Sequence, residues 1–201
     1  MPLLAIEGGD GSGKDTQIDL LKERLDPEHT VFVREPGGTA IGEMLRGTLL
    51  STSMSPETEM LLFLAARTEL VQTVIWPALQ AGKLVVSNRF GLSTIAYQIY
   101  GRQRPELLDS LVFMSKQILC RAEVPYCILL DIDPYIGLQR VESRGDGKTI
   151  FDAEHIGFHE RVREGFLKHY DDDNRGVCID ATDSIEEISR QIVRQIRRWH
   201  L

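Results

Sequence analysis

A surplus of basic residues is the first thing this 201-residue sequence lacks. It carries 23 Lys and Arg against 30 Asp and Glu, a net charge of −7. A general affinity for nucleic acid or anionic membrane needs a basic surface, so neither is expected as a partner. A local basic pocket stays open. Cysteine is scarce as well. Cys120, Cys127 and Cys178 are odd in number, and none shows C-x-x-C or zinc spacing. A disulfide framework is therefore excluded and a reducing, cytoplasmic compartment is expected. No run approaches ~18 apolar residues, so no membrane-spanning helix is expected. The apolar start, residues 1–6, is too short for a signal peptide and lacks a basic flank. Repeats, low-complexity tracts and Gly/Ser/Pro linkers are missing too, and a single domain over residues 1–201 is the expectation. The five histidines (29, 155, 159, 169 and 200) form no ligand constellation, because His155 and His159 at i, i+4 have no third partner.

What the sequence does contain is alternation. Five short runs rich in Val, Ile and Leu lie at 3–7, 30–35, 83–88, 126–132 and 176–181. Near-continuous apolar runs suit strands buried on both faces. Helical stretches separate them. Residues 15–25 place Ile18, Leu21 and Leu25 at 3–4 spacing. Ser55-Pro56 opens a long apolar helix that runs to Leu79, with a bend or end near Pro77. Asp133 before Pro134 opens another, and Ser184 with Glu187 forms a capping box for the last. Such alternation predicts an α/β fold with a parallel sheet, helices on both faces and ligands at the carboxyl ends of the strands.

The Gly-rich turn between the first strand and the first helix carries the most chemistry. Gly8, Gly9, Asp10, Gly11, Ser12, Gly13 and Lys14 match G-x-x-x-x-G-K. In that setting backbone N–H groups cradle phosphates and the lysine reaches the β- and γ-phosphates. The hydroxyl that should follow the lysine is replaced by Asp15, with Thr16 one place later. A carboxylate holds Mg²⁺ directly or through water. The expected metal ligands are therefore Asp15 and Thr16.

A second cluster follows the next strands. Arg34, Glu35 and Arg46 flank a Pro-Gly-Gly turn. Phe63 and Arg67 sit four apart on one helical face. Arg89, Thr94, Tyr97 and Gln98 follow the third strand. Arginines, an aromatic ring and amides near a phosphate loop suggest a second anionic substrate with a planar base.

With these residues in view, the chain resembles the thymidylate kinases, in their bacterial form, from residue 3 to about 198. The marks are G-G-D-G-S-G-K at 8–14, R-E-P-G-G-T at 34–39, G-E-x-x-R at 42–46 and F-x-x-A-R at 63–67. R-F-x-x-S-x-x-A-Y-Q at 89–98, L-D-I-D-P at 130–134 and a basic segment near 140–148 complete them. The resemblance implies a three-layer P-loop nucleoside-monophosphate-kinase fold on a five-stranded parallel sheet. It implies transfer of the ATP γ-phosphoryl group to dTMP with Mg²⁺, in a homodimer. Carried over by residue, Phe63 stacks on thymine and Arg67 bonds its carbonyl edge. Arg46 and Arg89 clamp the dTMP phosphate, while Thr94 and Gln98 help to recognise the base. Tyr97 fills the space of a ribose 2′-hydroxyl, and Glu35 either contacts substrate or orients arginines. Asp10 orients the sugar or the phosphates and joins Asp15 and Thr16 as an expected metal ligand. Lys14, Arg89, Arg144 and Asp10 form the catalytic set. Arg140 and Arg144 belong to a lid over ATP, at about 140–152, with Gly145 to Lys148 as its basic tip. In the family the extra arginine sits in the loop or in the lid; here the loop has Gly11 and the lid is basic.

Plainer roles compete at several positions. Phe63 or Tyr97 could be core, Arg89 a surface ion pair, and Asp133 a helix cap rather than a neighbour of the metal. The sequence also departs from the family twice: Asp15 stands for a hydroxyl, and Asn88 stands before Arg89 where an acid is usual. A carboxylate gained at 15 and lost at 88 raises the expectation that one compensates for the other. Another P-loop nucleotide kinase, or a nucleotide binder without catalysis, are the alternative readings.

Overall fold

The computed structural model describes residues 2–119, 125–145, 149–171 and 174–201. Five strands, β1 (Leu3–Gly8), β2 (Thr30–Arg34), β3 (Leu84–Asn88), β4 (Tyr126–Asp131) and β5 (Gly176–Asp180), form one sheet in the order β2-β3-β1-β4-β5. All four pairings are parallel. The expected α/β class and five-stranded parallel sheet are therefore present, each strand within a residue or two of its apolar run.

Both faces of the sheet are covered, which explains the unbroken apolar runs. Leu4 and Ile6 of β1 pack on one side with Ile18 and Leu21 of α1 (Lys14–Arg24) and with Ile188, Ile192 and Ile196 of α9 (Ile185–Arg198). Leu3 and Ala5, one residue out of phase, pack on the other side with Leu70, Ile75 and Phe90. Period-two alternation thus delivers apolar side chains to two layers at once. Truncating a fully buried Ile such as Ile192 to Ala costs about 2–5 kcal/mol.

The helices begin where their caps were expected. The Ser55 hydroxyl accepts from Thr58 N, Asp133 from Tyr135 N and Ser184 from Glu187 N. The long helix after Pro56 is not continuous. It is α-helical over α3 (Pro56–Leu70), π-helical over Val71–Ile75 and α-helical again over α4 (Trp76–Gln80). Pro77 has no N–H to give to the carbonyl four residues back, and the wider turn before it absorbs that loss. After the short helix α5 (Gly91–Thr94), a second π-helical segment, Ile95–Gly101, has no counterpart in the sequence reading. The remaining helices are α2 (Ala40–Ser51), α6 (Leu108–Ile118), α7 (Pro134–Arg144) and α8 (Ile156–His169). No helix among the described residues is long and apolar enough to cross a membrane.

Candidate active site

At the carboxyl ends of β1, β2 and β3 a cavity of about 370 Å³ opens, within the usual size range for a small-molecule site. Six cationic and four acidic side chains line it, so a protein of charge −7 carries a net positive cleft.

The phosphate loop forms its floor. Gly11 (φ 75°) and Gly13 (φ 85°) take left-handed backbone that L side chains rarely adopt. At Gly11 the requirement is also steric, because a β-carbon there would lie 2.1 Å from the carbonyl oxygen of Gly137 in α7. Gly13 caps α1, so the helix N-terminus points its free N–H groups at the loop. The Ser12 hydroxyl donates to Gly9 O at 2.8 Å. Lys14 is buried over the loop, and its Nζ donates to Gly8 O (2.9 Å), Gly9 O (2.7 Å) and Ser12 Oγ (3.1 Å). Burial, with nearby Arg89, pushes this ammonium down to about 7 against the pull of Asp10, Asp15 and Glu7.

Arg89 crosses the centre. Its backbone is left-handed (φ 65°), a costly conformation for an arginine. Its N–H is held by Ile6 O at 3.0 Å. Its guanidinium donates to Gly8 O (2.9 Å), Ser93 Oγ (3.2 Å), Asp10 Oδ1 (2.7 Å) and the Tyr97 hydroxyl (3.3 Å). Burial alone would discourage the charge, but Tyr97, Asp10 and Glu7 outweigh it and keep Arg89 cationic. Tyr97 donates to Asp10 Oδ2 at 2.8 Å. Burial also raises Asp10 in isolation; Arg89, Lys14 and the Tyr97 hydroxyl reverse that and hold the carboxyl below its usual range. Both Asp10 oxygens are thus engaged.

Beyond Arg89 lies a drier end. Phe63, half-buried, tilts against Phe151 with ring centres 6.3 Å apart, and Phe151 meets Tyr97 edge-on at 5.7 Å. Arg67 is 2% exposed. Its Nε and Nη2 donate to Glu35 Oε2 at 2.8 and 2.6 Å, and Nη2 also to Thr94 Oγ1 at 2.8 Å. Its Nη1 has no hydrogen-bond partner among the described residues. Gln98 donates its amide to Glu59 Oε1 at 3.0 Å, which leaves the amide oxygen as the end free for the cavity. Arg46 donates to Pro36 O at 2.9 Å and lines the cavity beside Asp15 and Arg89.

Most of the expected residues therefore meet at one place, with instructive exceptions. Glu35 lines the cavity with both its oxygens on Arg67. Thr16 is exposed and lies outside the cavity lining. Of the three expected metal ligands, Asp15 alone combines a place in the lining with a carboxylate oxygen engaged by no described residue. A hard dication takes such oxygens, so the donor set fits Mg²⁺ through Asp15. Among the described residues no group of three or more His, Cys, Asp or Glu is poised for a metal. Arg140 does not line the cavity. It donates to Ala181 O at 3.0 Å and more distantly to Gly11 O, bracing the loop, while exposed Arg144 reaches the cavity edge. Asp133 is a cap, and Asp131 is held by Arg163 through two 2.8 Å bonds. Lys148 and its neighbours 146–147 in the lid tip lie outside the described residues.

Sequence reasoning missed three supports. Glu7, fully buried, accepts from Phe90 N (2.8 Å) and Ser93 N (3.2 Å) and so fixes the turn that carries Arg89. An acid inside the apolar run LLAIE was the signal. Glu59 anchors Gln98 and Arg102; at the first turn of a helix it looks like an ordinary dipole-complementing acid. Phe151 closes the aromatic wall from a segment read only as lid.

Comparison with known proteins agrees with this geometry. The family model described as thymidylate kinase matches residues 6–192. Curated proteins named thymidylate kinase are similar over nearly the whole chain. The one from Maridesulfovibrio salexigens is 41% identical, with 96% of this chain and 94% of its own covered. That from Pseudoalteromonas translucida is 40% identical over 98% and 95%, and that from Pelobacter propionicus 39% over 96% and 92%. A phosphate loop and an arginine-lined, aromatic-walled cavity on one parallel sheet, with such matches end to end, make this chain a member of the thymidylate kinase family.

Proposed function

We infer that this cavity is where the chain phosphorylates dTMP to dTDP at the expense of ATP, a step in dTTP synthesis. The observation that carries the reading is that the phosphate loop and the arginine cluster open onto the same cavity. In-line phosphoryl transfer brings two anionic groups together, and fixed cations offset their repulsion. Loop N–H groups and Lys14 hold the ATP phosphates, with Arg144 over them from the end of α7. Arg46 and Arg89 hold the dTMP phosphate in line, and Asp10 fixes Arg89. Phe63 stacks on thymine, and the free Nη1 of Arg67 donates to a thymine carbonyl. Thr94 and the Gln98 amide oxygen complete the pattern, since the oxygen suits an imide N–H. Tyr97, wedged against Asp10, leaves no room for a 2′-hydroxyl. Asp15 would hold Mg²⁺, which when bound would supply charge neutralisation for the transfer.

The enzyme acts as a single domain and as a cytoplasmic homodimer. The dimer reading is supported by Leu61 on α3 and Phe113 on α6, 51% and 65% exposed on two helices that pack side by side. ADP release with Mg-ATP should be rapid with dTMP and near background with dUMP, dCMP, dGMP or no acceptor. Tight dTMP binding without turnover would mark a lapsed enzyme, and turnover with another monophosphate would overturn the base-recognition roles.

A further inference from the structure

The two residues that break the family pattern touch each other. Asn88 Nδ2 donates to Asp15 Oδ1 at 2.6 Å, joining the end of β3 to the first turn of α1 across 73 residues of sequence. Both side chains line the cavity next to Lys14 and Arg89. An acid at 88 would set two carboxylates at that distance with no hydrogen between them, so that they repel. An amide donates instead and brings no second charge to the pair. Asp15 Oδ2 accepts nothing from the described residues, so one oxygen is fixed and the other is free.

We propose that Asp15 and Asn88 act as one unit that holds the nucleotide's Mg²⁺ by a carboxylate from α1, oriented from β3, in place of the usual hydroxyl and strand acid. The proposal rests on the Mg-ATP reading above. Its physical consequence is a change of sign. Without the ion, the Asp15 carboxylate repels the nucleotide phosphates; with it, the same charge attracts the complex. A hydroxyl has no such dual effect. Mg²⁺ should therefore couple to nucleotide binding chiefly through this pair.

The test is the ADP dissociation constant by calorimetry, with Mg²⁺ and with EDTA, on the full chain. Asp15→Ala should bind ADP more tightly than wild type in EDTA and about tenfold more weakly in Mg²⁺. Asp15→Asn should lose the coupling in the same way, and the exchanged pair Asp15→Asn/Asn88→Asp should regain it, because the bond survives with the charge on the other partner. Asp15→Ser serves if the alanine variant does not fold. Equal shifts in Mg²⁺ and EDTA would overturn the proposal, as would failure of the exchanged pair to recover. A wild-type chain that binds no ADP, or binds it with no regard for Mg²⁺, would instead sink the reading on which the proposal stands.

Discussion

Lys14 shows how far one residue's chemistry can depend on its neighbours. Its ammonium is held near 7 by burial and by Arg89, below the ordinary value near 10.4. Phosphates arriving over the loop favour the charged form, so binding should take up a proton above neutral pH. The sign follows: the contribution of Lys14 to ADP affinity falls as pH rises from about 7 toward the ordinary lysine value, and is constant below. Calorimetry at about pH 8, well above the second phosphate ionisation, in buffers of different ionisation enthalpy should report uptake close to one proton. Lys14→Arg, always charged, should bind without uptake; equal uptake in both would refute the assignment. At this scale the sequence was informative wherever a residue type has one use. The glycines and lysine of the loop could be found from their order alone. Arg67 could be found too, but its bond to Glu35 could not, since 32 positions separate them and only the fold measures that distance.

Among elements, α8 and the π-helical segment Ile95–Gly101 pack tightly against each other. Two glycines permit it: a β-carbon at Gly101 would lie 2.6 Å from the Phe158 ring, and one at Gly165 would lie 2.9 Å from Tyr100 and 3.0 Å from the Ala96 backbone. Tyr97 belongs to this seam. Gly165→Ala should therefore cost about 1–3 kcal/mol, lowering Tm by several degrees, and should raise KM for dTMP more than KM for ATP. Gly47→Ala in α2, where a β-carbon meets nothing within 4 Å, should instead raise Tm slightly. An effect of Gly165→Ala no larger than that of Gly47→Ala would show that the seam is loosely packed. Strands and capped helices were legible in advance because period, caps and Pro act locally. The π-helical segments were not: Pro77 announced a bend or an end rather than the wider turn at Val71–Ile75, and no Pro stands in or next to Ile95–Gly101 to announce the other.

For the whole molecule, sheet order decides where the chemistry gathers. With β1 central and β3 beside it, the loop after β1, the turn after β3 and the Pro-Gly-Gly turn after β2 converge on one edge. That convergence gives an acidic protein a cationic cleft, something composition alone argued against for the surface but never for a pocket. The opposite question, what the exposed apolar residues cover, belongs to assembly. Sedimentation should give about twice the 22.7 kDa chain mass for the wild type and a monomer for Phe113→Asp; a monomeric wild type would remove the dimer. One feature of the loop also constrains how this molecule can change over generations. The backbones of Gly11 and Gly137 meet so closely that neither position has room for a side chain while the other stays where it is: a β-carbon at Gly137 would lie 2.3 Å from the Asp10 carbonyl. A lineage cannot place an arginine at position 11 by one codon. Helix α7 must first withdraw, and until it does each single step damages the loop it is meant to serve. The start of α7 and the bare glycine are bound to evolve together.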